Sequence, residues 1–193
     1  MNAFRLQRHF IDSNQQKLIF GMLDKRLRRV FPKYQDGHTD GVIADYRELL
    51  WRKSPSENST EQLALQDVVE RIKQECTSID PALQWTLPHI LDLAAEGQIK
   101  PHIDSSCGSV IACVSLLSPA VLIFRKGEQV HSVLVPENSL YIQWGELCTQ
   151  YTHEIPLRSS PLHAIDGQQV DRGRRISIIL RTVSPTNPVN NMQ

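Results

Sequence analysis

Short apolar runs separated by turn signals dominate the second half of the chain. The runs are rich in β-branched residues and cover residues 110–117, 121–124, 130–135, 140–144 and 175–183. Ser118-Pro119, Lys126-Gly127-Glu128 and Pro136-Glu137-Asn138-Ser139 interrupt them, and these residue types are typical of tight turns. Each run has the length of a strand rather than that of a helix. Several short strands with regular turns predict an antiparallel double sheet of the jelly-roll type.

The first half of the chain has the spacing of helices instead. Apolar residues recur at helical intervals in 10–31, and Asp12-Ser13 provides an N-cap signal before them. A polar linker at 54–60 precedes a second apolar stripe, for which Ser59 or Thr60 can act as the cap. The segment 42–51 between the two predicted helices is short and mixed.

The helical first half and the strand-rich second half are expected to form one domain, since 193 residues suffice for a single ordinary core. We expect an α+β fold over 1–183. N-terminal helices in 1–88 would support a double-stranded β-helix (jelly-roll) core in 89–183, and 184–193 would form a disordered tail. At the start of the core, His89 to Leu93 alternate loosely, and 94–97 has the composition of a turn.

The composition argues against several classes of function. Basic and acidic residues balance at 21 each, so the chain has no global field for phosphates, although a local basic patch stays open. The four cysteines form no C-x-x-C pair, which argues against a thiolate zinc site and for reduced cysteines in the core. No run approaches the roughly 20 apolar residues that a membrane span needs.

A His-x-Asp tripeptide follows the expected turn. Residues i and i+2 of a strand share a face, so His102 and Asp104 would point the same way while Ile103 faces the opposite layer. With His153, about 50 residues downstream, they make up the ligand set of a non-haem Fe(II) centre with open coordination positions. Other interpretations stay open. His102 and Asp104 can be two solvated residues near a strand end, and His153 can be a surface or hydrogen-bonded histidine without a metal.

Two arginines lie in the last apolar run. A period of two divides this run into an apolar face and a mixed face. The mixed face consists of Arg175, Ser177, Ile179 and Arg181. Two arginines that point inward from a central strand need anionic partners, and a bound dicarboxylate would pair well with guanidinium groups. The alternative is an edge strand whose polar face lies in water.

Taken together, these motifs resemble the 2-oxoglutarate- and Fe(II)-dependent oxygenases of the AlkB-like group. The resemblance extends to a mitochondrial branch of that group, which is linked to programmed necrosis and fatty-acid metabolism. It is specific over 87–183 and faint through the helical half. The segments that carry it are His89-Ile90-Leu91-Asp92-Leu93, Ile99-Lys100-Pro101-His102-Ile103-Asp104-Ser105, Ser115-Leu116-Leu117-Ser118-Pro119, Asn138-Ser139-Leu140-Tyr141-Ile142, Arg172-Gly173-Arg174-Arg175-Ile176 and Ser177-Ile178.

The resemblance implies a role for each candidate residue. The implied Fe(II) ligands are His102, Asp104 and His153. Arg175 would pair with the far carboxylate of 2-oxoglutarate, and Arg181 would lie near its metal-side carboxylate. Tyr141 would add a hydrogen bond, although an ordinary core tyrosine explains this residue equally well. The reaction would consume O2 and 2-oxoglutarate and release succinate.

The substrate class depends on the region ahead of the metal motif. AlkB-like enzymes that repair nucleic acid extrude a base and stack it on a lid with aromatic and basic residues. Here the region 51–87 has only Trp51 and Trp85 as aromatic residues. We therefore expect a protein or small-molecule substrate and no duplex nucleic acid, with structured RNA, and hence RNA demethylation, as an alternative. A further alternative is a non-catalytic regulatory binding protein on the same fold.

The resemblance also implies a location in the mitochondrial matrix. The first residues contain Arg5 and Arg8 but no clear presequence, which keeps the cytoplasm as the alternative. We expect a monomer.

Overall fold

Antiparallel strands make up most of the structure. The computed structural model describes residues 3–37, 41–52, 59–104 and 107–183, apart from the side chain of Cys107. Its helices are α1 (Ser13–Val30), α2 (Thr60–Cys76) and the short α3 (Glu146–Thr149). Its strands are β1 (Phe4–Gln7), β2 (Ile43–Leu50), β3 (His89–His102), β4 (Cys107–Leu116), β5 (Ala120–Lys126), β6 (Gln129–Val135), β7 (Leu140–Trp144), β8 (Thr152–Ile155), β9 (Ala164–Ile165), β10 (Gln168–Gln169) and β11 (Arg175–Val183).

One curled sheet contains nine strands of the described part of the chain. Its order is β1-β7-β4-β11-β3-β8-β5-β6, and β2 pairs with β3 as well. The pairings are antiparallel, and β9 and β10 form a separate small hairpin. Because the sheet closes into a nearly complete barrel with few helices, the predicted α+β jelly roll is confirmed.

Separate apolar cores lie on the two faces of this sheet. The outer core packs residues of α1 and α2, such as Leu23 and Leu65, against outward residues of the barrel. The inner core fills the barrel with residues such as Leu122 and Phe124. β11 contributes to both cores because its side chains alternate. Ile176, Ile178 and Leu180 belong to the outer core and Ile179 to the inner one, as the period of two predicts.

Both long helices begin at residues that the sequence predicts. The Asp12 carboxylate accepts hydrogen bonds from the backbone N–H groups of Asn14 and Gln15, each at 2.8 Å. Ser59 Oγ accepts one from the N–H of Gln62 at 3.3 Å. These caps satisfy N–H groups that the first helical turn leaves without a partner. None of the helices in the described ranges is long and apolar enough to cross a membrane.

Some sequence-based expectations fall partly outside the described residues. The tail 184–193 and the linker residues 54–58 belong to the undescribed part of the chain.

Cys76, Cys113 and Cys148 are buried and carry free thiols, as predicted.

The N-terminal region adds two strands that the sequence does not reveal. The segment 42–51, which reads as mixed, contains β2, and β1 precedes the first helix. β1 pairs with β7, which lies far away in the sequence. The alternation of apolar and polar residues in β2 is obscured because a charged residue, Arg47, is buried. Its guanidinium lies 3.5 Å from the Asp92 carboxylate. The description of 1–88 as a helical support region therefore needs this correction.

A second correction concerns the turn predicted at 94–97. These residues continue β3, and the pairing with β2 shifts register there between Ala44 and Tyr46. Asp45, on the opposite strand, has a positive φ of 52°. A Cβ atom on Gly97 would lie only 2.7 Å from the carbonyl oxygen of Asp45. Gly97 therefore permits a close approach of two strands at a β-bulge, and the turn predicted from its presence is wrong.

A buried ion network fastens α1 to the start of β11. The fully buried Asp92 accepts two hydrogen bonds of 2.8 Å from the Arg174 guanidinium. Arg174 also lies 2.6 Å from the carboxylate of Asp24 on α1. Because neighbouring residues of a strand face opposite ways, this anchoring of Arg174 on the outer face directs Arg175 into the barrel.

Replacing Gly97 with alanine is expected to destabilise the protein by about 1–3 kcal/mol, because the new Cβ meets backbone atoms that cannot rotate away. Gly21→Ala is the matched control, since nothing lies within 4 Å of its added Cβ. In the middle of α1 this change should stabilise the protein by up to about 1 kcal/mol. Chemical denaturation of the two variants measures both effects. Equal stabilities for the two variants would contradict the close approach at Gly97.

Candidate active site

Three candidate metal ligands converge at one end of the barrel. His102 is the last residue of β3, and His153 lies directly opposite it on the neighbouring strand β8. One ligand atom each from His102, Asp104 and His153 lies within 4.8 Å of the other two. The pairing of two strands thus brings together residues that are far apart in the sequence.

Asp104 reaches this cluster from just beyond the end of β3. Its Oδ1 lies 3.0 Å from His102 Nε2 and 3.9 Å from His153 Nε2. The prediction of a shared strand face for His102 and Asp104 is only approximate, because the strand ends at His102. Ile103 is 42% exposed and does not pack into an opposite layer.

Hydrogen bonds orient the His102 ring. Its Nδ1 lies 2.9 Å from the carbonyl oxygen of Lys100, to which it can only donate. This bond directs Nε2 toward Asp104 and His153. Such support of the second ring nitrogen is typical of histidines that bind metals.

The electrostatics of the cluster favour an anionic carboxylate beside a neutral imidazole. Burial alone would raise the pKa of Asp104, but the hydrogen bond from His102 and the charge of Arg181 hold it well below its usual range. Burial lowers the pKa of His153 to about 4, so this imidazole is neutral at physiological pH. Burial also acts to lower the pKa of His102, but the hydrogen bonds to Asp104 and Lys100 outweigh it and raise that pKa.

Arg181 takes up the second oxygen of Asp104. Its Nε donates to Asp104 Oδ2 at 2.6 Å. The carboxylate therefore keeps Oδ1 on the side of the two histidines. Of the two arginines predicted to need an anion, Arg181 finds one within the chain itself.

Arg175 has a different environment. Its side chain is only 1% exposed. Nε donates to Ser115 Oγ at 2.9 Å, Nη1 donates to Ser177 Oγ, and Nη2 lies 3.9 Å from Cys113 Sγ. Within the described ranges, no carboxylate lies within 4.0 Å of this guanidinium. A buried positive charge with neutral partners alone is unfavourable, so the site is suited to an anionic ligand.

Tyr141 lies in the same interior space. It is buried on β7, opposite Cys113 of β4, and stacks on Phe4 with a centroid distance of 6.1 Å. Burial, with a smaller contribution from Cys113, raises the pKa of Tyr141 well above its usual value. The hydroxyl therefore keeps its proton and can donate a hydrogen bond.

The sequence did not point to Ser115 or Cys113 as parts of this site. Both lie on β4, where Ser115 pairs with Ser177 and Cys113 pairs with Ile179 of β11. Only the register between the two strands places them beside Arg175. A single sequence contains no signal for that register.

Comparisons with known proteins are consistent with this geometry. No family model matches the chain. A mouse protein named "Alpha-ketoglutarate-dependent dioxygenase alkB homolog 7, mitochondrial" is 35% identical over 180 residues, which cover 90% of this chain and 76% of the mouse protein. The bovine protein of the same name is 33% identical over the same coverage.

Solved structures agree on the fold. A prolyl hydroxylase from Trichoplax adhaerens, in complex with a peptide fragment of the hypoxia inducible factor oxygen degradation domain, superposes with a TM-score of 0.66 at 13% identity. The match covers 100% of this chain and 89% of that one. At such low identity this likeness supports the fold alone. The identity and coverage of the mouse and bovine relatives show that the chain belongs to the alkB homolog 7 family of alpha-ketoglutarate-dependent dioxygenases, enzymes that use Fe(II), 2-oxoglutarate and O2.

Proposed function

We propose that His102, Asp104 and His153 bind the Fe(II) of this dioxygenase and that Arg175 binds the far carboxylate of 2-oxoglutarate. The enzyme then oxidises a protein side chain or another non-duplex substrate. The observation that carries this proposal is that one face of β11 presents both Arg181, which pairs with Asp104 of the three-residue cluster, and Arg175, a buried guanidinium that has no carboxylate partner among the described residues.

The donor set fits Fe(II). Two imidazoles and one carboxylate form the facial arrangement of non-haem iron enzymes, which leaves coordination positions open for small molecules. The neutral state of His153 and the anionic state of Asp104 are the forms that bind a metal ion. Lys100 and Arg181 hold the outward atoms of the cluster, so little rearrangement is needed on binding.

The interior of the barrel fits a dicarboxylate. Arg175 would pair with the far carboxylate, while Ser115 and Ser177 hold its guanidinium in place. Tyr141 would donate a hydrogen bond to the same ligand, and Arg181 would lie near its metal-side carboxylate. Arg175 and Arg181 face the same interior because they lie an even number of positions apart on β11.

Fe(II) held by His102, Asp104 and His153 would supply the activation of O2 that couples the decarboxylation of 2-oxoglutarate to the oxidation of a second substrate. The residues of the chain orient these partners and exclude water. Apolar side chains of the inner core, among them Leu91, Leu93 and Ile111, surround the space beside the arginines. A dry environment strengthens the pairing between a guanidinium and a carboxylate.

A protein or other non-duplex substrate agrees best with the surroundings of the site. Trp51, one of the two tryptophans ahead of the metal motif, is buried, and Trp85 packs against the outer core. Neither is therefore free to stack an extruded base. The balanced charge of the chain also offers little attraction for a phosphate backbone.

The cellular role is proposed by resemblance. The relatives are named mitochondrial, which supports a location in the mitochondrial matrix. A role in programmed necrosis and fatty-acid metabolism follows from the same family resemblance.

Mass spectrometry would identify the substrate. It would compare the modified proteins of mitochondria that contain the wild type with those of mitochondria that contain Asp104→Ala.

Wild-type protein supplied with Fe(II), ascorbate and 2-oxoglutarate is expected to produce succinate, and His102→Ala is expected to reduce succinate to background because a metal ligand is lost. His9→Asn is the matched control, since His9 is exposed and asparagine tolerates its positive φ. Absence of succinate from the wild type, with Mn(II) binding retained, would instead favour a non-catalytic binding protein on the same fold.

Arg175→Met is expected to raise the Kd for 2-oxoglutarate roughly 10- to 150-fold, because charged hydrogen bonds to the far carboxylate are lost. Arg175→Lys keeps the positive charge but loses the paired N–H donors. Its Kd for 2-oxoglutarate should therefore lie between those of the wild type and the Met variant. Without ligand, the Met variant should be no less stable than the wild type, since an uncompensated buried charge is removed. Thermal stabilisation by Mn(II) and N-oxalylglycine measures the effect, and equal stabilisation of wild type and Met variant would refute the assignment.

Structured RNA is expected not to bind, because the described surroundings of the site lack a free aromatic platform. A gel shift with a structured RNA at low salt tests this. Tight, salt-dependent binding would favour RNA demethylation over oxidation of a protein.

A further inference from the structure

We propose that Glu48 and His89 complete a hydrogen-bonded chain through Arg181 to Asp104, and that His89 is a positioning residue for the metal-binding carboxylate. This inference rests on the proposed metal ligands but adds two residues that contact neither the metal nor 2-oxoglutarate in that proposal.

The chain is continuous over four residues. Glu48 Oε2 lies 2.8 Å from His89 Nε2, and His89 Nδ1 lies 3.0 Å from Arg181 Nη1. Arg181 Nε in turn donates to Asp104 Oδ2 at 2.6 Å. Side-chain exposure is 28% at Glu48, 17% at His89, 21% at Arg181 and 10% at Asp104, so the chain joins a partly exposed carboxylate to a largely buried one.

Sheet register explains why these residues meet. Leu50 of β2 and Ile179 of β11 both pair with His89 of β3. Glu48 lies two positions from Leu50, and Arg181 lies two positions from Ile179, so Glu48 and Arg181 share the face of His89 on its two neighbouring strands. Such diagonal neighbours are about 7–8 Å apart at the backbone, within reach of long side chains.

Donor and acceptor chemistry allows one arrangement of the His89 ring. A guanidinium can only donate, so Nδ1 of His89 must accept from Arg181 through its lone pair. Nε2 then carries the proton and donates it to the Glu48 carboxylate. The negative charge of Glu48 makes the ring a better acceptor, which strengthens its hold on Arg181.

The consequence reaches the metal site through Arg181. With Nη1 held by His89, Nε is directed at Asp104 Oδ2, and Oδ1 stays turned toward His102 and His153. Loss of His89 would remove this hydrogen bond from Nη1 and weaken the hold of the guanidinium on the Asp104 carboxylate. Residues that support a ligand in this way commonly affect metal affinity by about 10- to 100-fold.

The test is the Mn(II) affinity of the full chain without 2-oxoglutarate, measured from the electron paramagnetic resonance signal of free Mn(II). His89→Leu removes both hydrogen bonds and should raise the Kd for Mn(II) about 10- to 100-fold. His89→Gln places its amide near the Nε2 position and loses the acceptor for Arg181, so it should weaken binding to a similar degree. His89→Asn places an amide oxygen near the Nδ1 position, keeps that acceptor, and should stay within about threefold of the wild type.

Two outcomes would overturn the proposal. The first is wild-type affinity in both the Leu and the Gln variants. The second is a loss in the Asn variant as large as in the Leu variant, which would make ring packing the cause. Circular dichroism and melting temperatures select folded variants, and the Gln and Asn pair suffices if the Leu variant does not fold. Failure of the wild type to bind Mn(II) in a manner that depends on His102 would instead refute the proposed metal site.

Discussion

The burial of arginines inside a barrel is the constraint on which the active site depends. Arg175 lies in the interior with hydroxyl and thiol partners, and no carboxylate is near it in the described part of the chain. A charge in such a place is unfavourable until an anion joins it. The apolar core that shields the site would also strengthen the binding of the proposed dicarboxylate, since both effects come from the low dielectric of the interior.

Three arginines, one directly before β11 and two within it, each have a different environment for their charge. Arg174 faces the helices and is neutralised by Asp92 and Asp24. Arg175 faces the barrel and has no carboxylate partner among the described residues. Arg181 faces the barrel too but pairs with Asp104, so it supports the cluster of candidate metal ligands. Alternation places neighbouring arginines on opposite faces, and the strands beside them decide which one receives an acid.

Much of the jelly roll could be predicted because its strands repeat a local pattern. The hairpin at Gly127, where a glycine adopts a φ of 55°, and the inward face of β11 follow from residue type and spacing. The sequence does not predict β2, because Arg47, buried in an ion pair, interrupts the apolar alternation. It predicts a turn at Gly97, where a strand lies, because composition does not distinguish a flexible glycine from one that permits close approach.

The kinds of side chain in the candidate site can be read from the amino-acid sequence. Two histidines, a carboxylate and paired arginines are local facts, and the period of two assigns the arginines of β11 to one face. Which of these side chains come into contact depends on the pairing of strands in the folded protein. The pairing of β3 with β8 joins His102 to His153, and that of β4 with β11 brings Ser115 to Arg175. These contacts depend on register between strands that are distant in the chain. Turn geometry fixes register only between strands that are neighbours in the chain, so the register of these distant pairs follows from how their apolar faces pack in the whole barrel.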